Sequence, residues 1–308
     1  MTAIELRDVT KQFGNQIAVG ALSLDVPAGS IYGFIGPNGS GKTTTIRMVM
    51  DILAPDRGSI QVFGKPSRSP VRDDIGYLPE ERGLYKRMTV RQVLRYYGQL
   101  KGRSLADLDR AIASWLDRLQ LGAYLDKKVQ TLSKGMSQKV QFIATVIAKP
   151  RLLILDEPFS GLDPVNADAL RDAVLDLRRD GTTVVFSTHD MATAERLCDR
   201  LFMIFKGRKV LDGTLDEIQA AHSQNVARVR TAGGVAILDG LPGVARVVDT
   251  GNAQDVELSG DPQQFLAALA ARTAVYQFEL KKPSLHDVFV QIARPTPEDL
   301  AVPAGGGR

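Results

Sequence analysis

The sequence contains a single cysteine and no long apolar run. Cys198 has no second cysteine to pair with, so a disulfide within the chain is excluded and a reducing compartment is favoured. No stretch of roughly 18 or more apolar residues occurs, so no transmembrane helix is predicted. The first residues also lack the charged-then-apolar pattern of a signal peptide. We therefore expect the chain in the cytoplasm, or docked through a partner on the cytoplasmic face of the cell membrane.

The charge of the chain is only weakly biased. Its 39 Lys and Arg residues against 35 Asp and Glu residues give a net charge of +4. This excess is diffuse, and no block of basic residues with interleaved aromatics occurs, so we expect no nucleic-acid partner. The length of 308 residues and the 44% hydrophobic content fit a globular chain with one large or two moderate domains.

A glycine-rich loop is the most informative feature that is present. It fits the pattern G-x-x-x-x-G-K-S/T and consists of Gly36, Pro37, Asn38, Gly39, Ser40, Gly41, Lys42, Thr43 and Thr44. A short apolar run at residues 30–35 predicts a buried strand before it, and helical spacing at residues 43–53 predicts a helix after it. In that setting backbone N–H groups and the helix N-terminus face a phosphate.

The loop therefore predicts nucleotide binding. Lys42 is expected to reach the β- and γ-phosphates, and the Thr43 hydroxyl is expected to ligate Mg²⁺. The alternative is a glycine-rich turn that binds nothing. Phe13, earlier in the chain, could stack on an adenine ring, and its alternative is a core phenylalanine.

The remaining pattern predicts an α/β fold. Residues 4–10 alternate apolar and polar, as in a half-exposed antiparallel strand. Apolar runs at residues 152–155 and 182–188 predict buried strands. Between them and the loop, residues 88–150 form a helical block with Thr89, Ser104 and Ser133 as N-caps.

The character of the chain changes after residue 222. Residues 223–294 alternate between short strands and amphipathic helices, which predicts a small α+β domain. A ferredoxin-like fold with its first crossover reduced to a loop is the expected type. Residues 295–308 are rich in proline and glycine and are predicted to be a disordered tail.

Six motifs in order make residues 4–222 resemble the nucleotide-binding subunit of an ABC transporter. They are the phosphate loop at 36–43, a glutamine-loop region at 75–81, a signature at 132–136, a Walker B strand at 152–156 followed by Glu157, a D-loop at 160–163 and a switch histidine, His189. The resemblance implies a P-loop NTPase fold of ABC type. Such a fold has a mixed sheet core, an antiparallel β subdomain and a helical subdomain, here at about residues 88–150.

The resemblance also implies roles for individual residues. Asp156 and Glu80 would join Thr43 at Mg²⁺, Glu157 would polarise the attacking water, and His189 would contact the γ-phosphate of ATP. In the family, two subunits face head to tail, so Ser133 and Gly135 would close over the ATP of a second copy or a related subunit. A separately encoded membrane permease would be the other partner, and ATP hydrolysis would power transport through it.

Two departures from the usual family pattern stand out. The signature, usually Leu-Ser-Gly-Gly-Gln, is Leu-Ser-Lys-Gly-Met at residues 132–136, and Glu80 replaces the usual glutamine. Both departures resemble the sodium-efflux-type branch of bacterial ABC ATPases, whose members often carry a small C-terminal domain with a Pro-Ser-Leu motif, here at residues 283–285. Export of sodium or of a drug-like compound is the expectation, and the sequence does not name the solute.

Two other functions remain open at this point. A soluble ABC protein acting on ribosomes or DNA usually carries two cassettes, a coiled-coil insertion or zinc-binding cysteines, whereas this chain has one cassette, no long heptad run and one cysteine. A regulatory module that holds ATP without hydrolysing it is disfavoured by the presence of Glu157 and His189.

Overall fold

The computed structural model describes residues 1–67, 74–81, 83–222 and 225–294. Its described residues divide into two compact units, residues 1–215 and 216–294. The predicted domain limits at 222 and 223 stay a prediction. The predicted tail at residues 295–308 lies outside the described residues, as do residues 223 and 224.

A four-stranded antiparallel sheet contains the first strands of the chain. Its strands, in the order β2-β1-β4-β5, are β1 (Thr2–Phe13), β2 (Gln16–Pro27), β4 (Arg57–Val62) and β5 (Lys65–Pro66). Side chains of β1 alternate between core and solvent over part of its length, with Ile4 and Leu6 buried and the intervening Glu5 half-buried. This confirms the predicted antiparallel β subdomain.

A six-stranded mixed sheet forms the centre of the larger unit. Its strands are β3 (Ile31–Ile35), β6 (Ile75–Leu78), β7 (Leu152–Asp156), β8 (Thr183–Thr188), β9 (Arg200–Phe205) and β10 (Arg208–Gly213). The order is β10-β9-β3-β8-β7-β6, and every neighbouring pair is parallel except β9 and β10. Strands β3, β7 and β8 are buried along their whole length, which explains why apolar residues predominate in them.

The parallel strands bring distant parts of the sequence to one edge. The glycine-rich loop follows β3, Asp156 ends β7, and His189 follows β8. Neighbouring parallel strands end on the same side of a sheet, where ligands bind in such folds. The sheet therefore positions these three features together.

The helical block has the predicted caps. It contains α2 (Val90–Leu100), α3 (Leu105–Arg118) and α4 (Lys134–Val146), and the side chains of Thr89, Ser104 and Ser133 each accept a backbone N–H at the start of one helix. The rings of Trp115 and Phe142, 5.8 Å apart, join α3 to α4. Among the described residues, no helix is long and apolar enough to cross a membrane.

Three more α-helices lie in the described part of the larger unit. They are α1 (Lys42–Val49), α5 (Pro164–Arg179) and α6 (Met191–Leu197). The helix predicted over residues 43–53 ends earlier than expected, at Val49. Asp51 has a φ of 53°, and this left-handed conformation ends the helix although the apolar spacing continues.

The second unit is a small α+β structure. Its elements are α7 (Leu215–Ala221), which begins at the boundary, β11 (Val226–Thr231), β12 (Val244–Asp249), β13 (Gln254–Leu258), α8 (Pro262–Arg272), β14 (Val275–Leu280) and α9 (Leu285–Ala293). The antiparallel strand order is β12-β13-β11-β14. A single short helical turn, Val235–Leu238, lies between β11 and β12. The predicted α+β class is confirmed, and the ferredoxin-like classification stays a prediction.

Candidate functional site

The backbone of the glycine-rich loop is packed too closely for side chains at two positions. Gly41 has a φ of 112°, and a Cβ placed on it would lie 2.5 Å from the carbonyl oxygen of Ala18 in β2. A Cβ on Gly36 would lie 2.2 Å from the carbonyl oxygen of Ile204 in β9. The loop is therefore pressed against both sheets, and only glycine permits this path.

Polar groups inside the loop are arranged around a position suited to an anion. The Lys42 side chain is 6% exposed, and its ammonium donates to the carbonyl oxygens of Gly36 at 2.7 Å and Pro37 at 3.1 Å. Burial lowers the pKa of Lys42, an effect that the carboxylates of Glu157 and Asp156 oppose. The Ser40 hydroxyl oxygen is buried and has no hydrogen-bond partner within the described chain. Buried polar atoms normally have partners, so the loop fits a phosphate group.

Two acidic residues, the last residue of β7 and the residue that follows it, face the loop. Asp156 Oδ1 accepts a hydrogen bond from the Ser187 hydroxyl and lies 3.4 Å from Thr43 Oγ1. The next residue, Glu157, is also buried, and its Oε1 lies 3.9 Å from Lys42 Nζ and 3.0 Å from His189 Nδ1. The structure thus brings the loop together with the acids and the histidine, which lie more than a hundred positions after it in the sequence.

Glu80 belongs to the same group of charges. It follows β6, whose Leu78 pairs in parallel with Leu155 of β7, so both strands end at the same edge. Partial burial raises the pKa of Glu80, and the negative charges of Asp156 and Glu157 raise it further. A carboxylate in this position adds negative charge to the site, and this charge favours the binding of a cation.

The available oxygen atoms fit a magnesium ion. Thr43, Asp156 and Glu80 supply a hydroxyl and carboxylates, which are ligands that Mg²⁺ prefers. Within the parts of the chain that the structure describes, no group of three or more His, Cys, Asp or Glu side chains is placed to hold a metal by itself. The set therefore suits an ion that also takes ligands from a phosphate and from water.

Ser133 and Gly135 have their contacts elsewhere. The Ser133 hydroxyl accepts a hydrogen bond from the backbone N–H of Met136 at 3.2 Å. A Cβ on Gly135 would lie 3.3 Å from the side chain of Asn166 in α5. For the described ranges, the structure shows no hydrogen bond between either residue and the loop at 36–44. One copy of the chain therefore brings together only part of the predicted site.

Phe13 is exposed at the end of β1. Its relative accessibility is 51%, and Lys11 Nζ lies 5.6 Å from the ring centroid. The alternative of a core phenylalanine is therefore wrong. Stacking of this ring on an adenine stays a prediction.

Sequence reasoning did not single out Ser187. This residue in β8 donates to Asp156, and its carbonyl and hydroxyl oxygens both lie 3.2 Å from the backbone nitrogen of Glu157. It therefore fixes both acids from the neighbouring strand. A serine directly after the apolar residues 184–186 of β8, two positions before His189, was the available signal.

Known protein families match parts of both units of the chain. The family described as ABC transporter matches residues 19–160, and the family described as ATP-binding protein DrrA1-3-like, C-terminal domain, matches residues 213–293. The chain is 41% identical over 285 residues to the uncharacterized ABC transporter ATP-binding protein YhaQ of Bacillus subtilis (strain 168), covering 92% of this chain and 96% of that protein.

The chain is also similar to a protein named for export and to a solved structure. Identity to the Nod factor export ATP-binding protein I of Rhizobium sp. (strain N33) is 34% over 301 residues, covering 94% of this chain and 96% of that protein. A solved structure of the ATP-binding subunit of an ABC transporter matches with a TM-score of 0.68 at 33% identity, covering 72% of this chain and 93% of that one.

The loop geometry predicts the effect of removing the lysine charge. Lys42→Met keeps the length of the side chain but removes a charged donor, so binding of a fluorescent ATP analogue is expected to weaken about tenfold or more. The matched control is Lys139→Met, because Lys139 is also buried and donates to a backbone carbonyl, that of Leu119. This control is expected to bind the analogue as the wild type does. Equal affinity for Lys42→Met and wild type would contradict the assignment.

Proposed function

Because this chain belongs to the family of ABC transporter ATP-binding proteins, we propose that two copies of it hydrolyse ATP at shared sites and power export through a separate membrane permease. ATP binding, ATP hydrolysis and a role in transport are properties of the family. The relatives are transporter subunits, so the ribosomal or nucleic-acid alternative is not supported. Export is inferred from the relative named for Nod factor export.

The observation that carries the two-copy proposal is the separation of the site residues. Lys42, Glu157 and His189 lie together, whereas Ser133 caps α4 and has no hydrogen bond to the loop in the described chain. The N-terminus of α4 presents backbone N–H groups and a partial positive charge, which suit a phosphate. A second copy that supplies this helix end would complete the site, and a related ABC subunit could take its place.

Each residue of the site has a role that its surroundings support. Lys42 would exchange its bonds to the loop carbonyls for bonds to phosphate oxygens, and the Ser40 hydroxyl, which has no partner among the described residues, would gain an acceptor there. Thr43, Asp156 and Glu80 would hold Mg²⁺, whose charge neutralises the phosphates. Phosphoryl transfer requires mainly positioning and charge neutralisation from the protein, and this group of residues provides both.

Glu157 is the proposed general base. Its carboxylate is buried, held near Lys42 and 3.0 Å from His189, so it can accept a proton from an attacking water molecule while the imidazole keeps it oriented. The His189 side chain is 44% exposed, which leaves the rest of its ring accessible to the terminal phosphate. Phe13, exposed at the end of β1, would stack on the adenine base.

The permease is proposed to dock beside Glu80, on the cytoplasmic face of the membrane. A cavity of about 320 Å³ lies there, and its lining includes Tyr77, Pro79, Leu84 and Tyr97. The cavity is bounded on one side by the segment that leads to Glu80. A permease segment in this cavity would sense the charge state of the nucleotide site through that carboxylate.

Removing the base while keeping its shape tests the proposed site. Glu157→Gln is expected to lower the rate of phosphate release about 100-fold or more, because general bases contribute on that order. The variant should still bind ATP and should elute as a dimer in ATP-containing size-exclusion chromatography.

Glu257→Gln, a change of an exposed carboxylate in the second unit, is the control and should behave as wild type. Undiminished turnover in Glu157→Gln would refute the role of the base. A monomer at saturating ATP would refute the shared site.

The charge at Glu80 gives a second test. Glu80→Gln keeps an oxygen ligand but removes one negative charge, so the Mg²⁺ concentration for half-maximal ATPase should rise about two- to fivefold. Transport by the reconstituted complex with the permease should fall as well. Glu81→Gln, the neighbouring exposed carboxylate, should leave the Mg²⁺ requirement unchanged. If Glu80→Gln alters neither the Mg²⁺ requirement nor transport, its charge has no role.

A further inference from the structure

A buried side-chain hydrogen bond joins helix α4 to the segment that carries Glu157. Gln138 is 8% exposed, and its Nε2 donates to the carbonyl oxygen of Pro158, the residue that follows Glu157. The first turn of α4 contacts the same segment, because Lys134 Nζ lies 2.8 Å from the position that a Cβ on Gly161 would occupy. Helix α4 therefore lies directly against residues 158–161.

The backbone of Glu157 is in a conformation that its neighbours must maintain. Its φ of 48° lies in the left-handed region, which non-glycine residues adopt at a cost and keep only when the surrounding structure over-determines it. From the neighbouring strand β8, the Ser187 hydroxyl accepts a hydrogen bond from the Glu157 N–H. Within the segment, the Ser160 N–H donates to the Glu157 carbonyl at 3.2 Å. On the side of helix α4, the segment is held by the hydrogen bond from Gln138 to the carbonyl oxygen of Pro158.

We propose that Gln138 is a positioning residue for the reaction. Its bond to the Pro158 carbonyl holds the Glu157 carboxylate in the place from which it acts on water, and it makes that place depend on helix α4. This inference rests on the proposed function, in which the N-terminus of α4, capped by Ser133, contacts the nucleotide of the second copy. A helix is stiff along its axis. When the two copies come together around ATP, a displacement of the first turn of α4 would therefore also displace Gln138 and, through its hydrogen bond, Pro158.

Replacing the donor without changing the shape tests this role. Gln138→Met has nearly the same length and volume but cannot donate, so Glu157 should lose its fixed position. The expected result is a kcat about tenfold lower, since small misplacements of catalytic groups have effects of that order or larger. The KM for ATP should stay within about twofold of the wild type, because the groups that bind phosphate are unchanged. ATP-driven dimerisation in a Gln138→Met, Glu157→Gln double variant should equal that of Glu157→Gln alone.

The second unit offers a matched control for a purely structural effect. Gln219 in α7 is 9% exposed, and its Nε2 donates to the carbonyl of Pro283 at 2.9 Å, so it makes the same kind of side-chain to backbone bond with residues that are not part of the proposed site. Gln219→Met is expected to lower the Tm to a similar extent as Gln138→Met while leaving kcat unchanged.

A conservative variant supplies a pH-dependent rescue. Gln138→Glu keeps the shape of the side chain, but its carboxyl group can donate to the Pro158 carbonyl only when protonated, and burial raises the pKa of such a group. The kcat of Gln138→Glu, divided by that of Gln138→Met at the same pH, should therefore rise as the pH is lowered. A ratio that does not change with pH would contradict a role for the donated bond.

The outcomes separate the inference from the function on which it rests. If Gln138→Met keeps the wild-type kcat while Glu157→Gln is inactive, the inference is refuted and the proposed function stands. A raised KM with unchanged kcat also refutes it, since the effect would then lie in nucleotide binding. Full turnover in Glu157→Gln refutes the proposed function and the role of Gln138 together.

Discussion

The site depends on one buried ammonium group held between a glycine-rich loop and a set of carboxylates. Removing a lysine from water is unfavourable unless hydrogen bonds and opposite charges compensate, and Lys42 has both, from the loop carbonyls and from Glu157. The loop carbonyls are replaceable partners, because phosphate oxygens can accept the same bonds. The parallel strands of the central sheet make the arrangement possible, since they bring β3 and β7 to the same edge. In our proposal, the negative charges of Asp156 and Glu80 are neutralised by a metal ion that binds together with the nucleotide.

Local sequence patterns predicted most of this site, because each motif is short and sits on one element. The loop pattern singled out Lys42, whose ammonium group lies inside the loop, and the apolar runs before Asp156 and His189 predicted the buried strands β7 and β8. The roles of these residues toward a nucleotide stay a prediction. The patterns did not reveal Ser187 or Gln138, whose importance lies in partners far away in the sequence. They also overestimated the length of α1, because the helix ends at the left-handed backbone conformation of Asp51, and the spacing of apolar residues gives no information about backbone conformation. Caps were predicted well, since a capping side chain bonds to a backbone a few residues away.

The unusual signature sequence is compatible with the same geometry. The Ser133 cap uses the backbone N–H of Met136, so the replacement of the usual glutamine side chain leaves that hydrogen bond in place. Gly135 still packs closely against α5, where a larger side chain would approach Asn166. Lys134 lies over Gly161 and so adds a positive charge near the start of α4. These contacts are compatible with our proposal that the N-terminus of this helix binds a phosphate of the nucleotide held by the second copy.

The central claim, a site shared between two chains, is tested most directly by mixing two inactive variants. Lys42→Met disables the loop, while Ser133→Asp keeps a residue able to cap α4 and places a negative charge where the phosphate would lie. A mixed dimer carries both changes in one shared site and leaves the other site intact, so ATPase activity well above the sum of the two separate variants is predicted. A mixture that is no more active than that sum would contradict the account, because it would mean that each chain needs only its own residues.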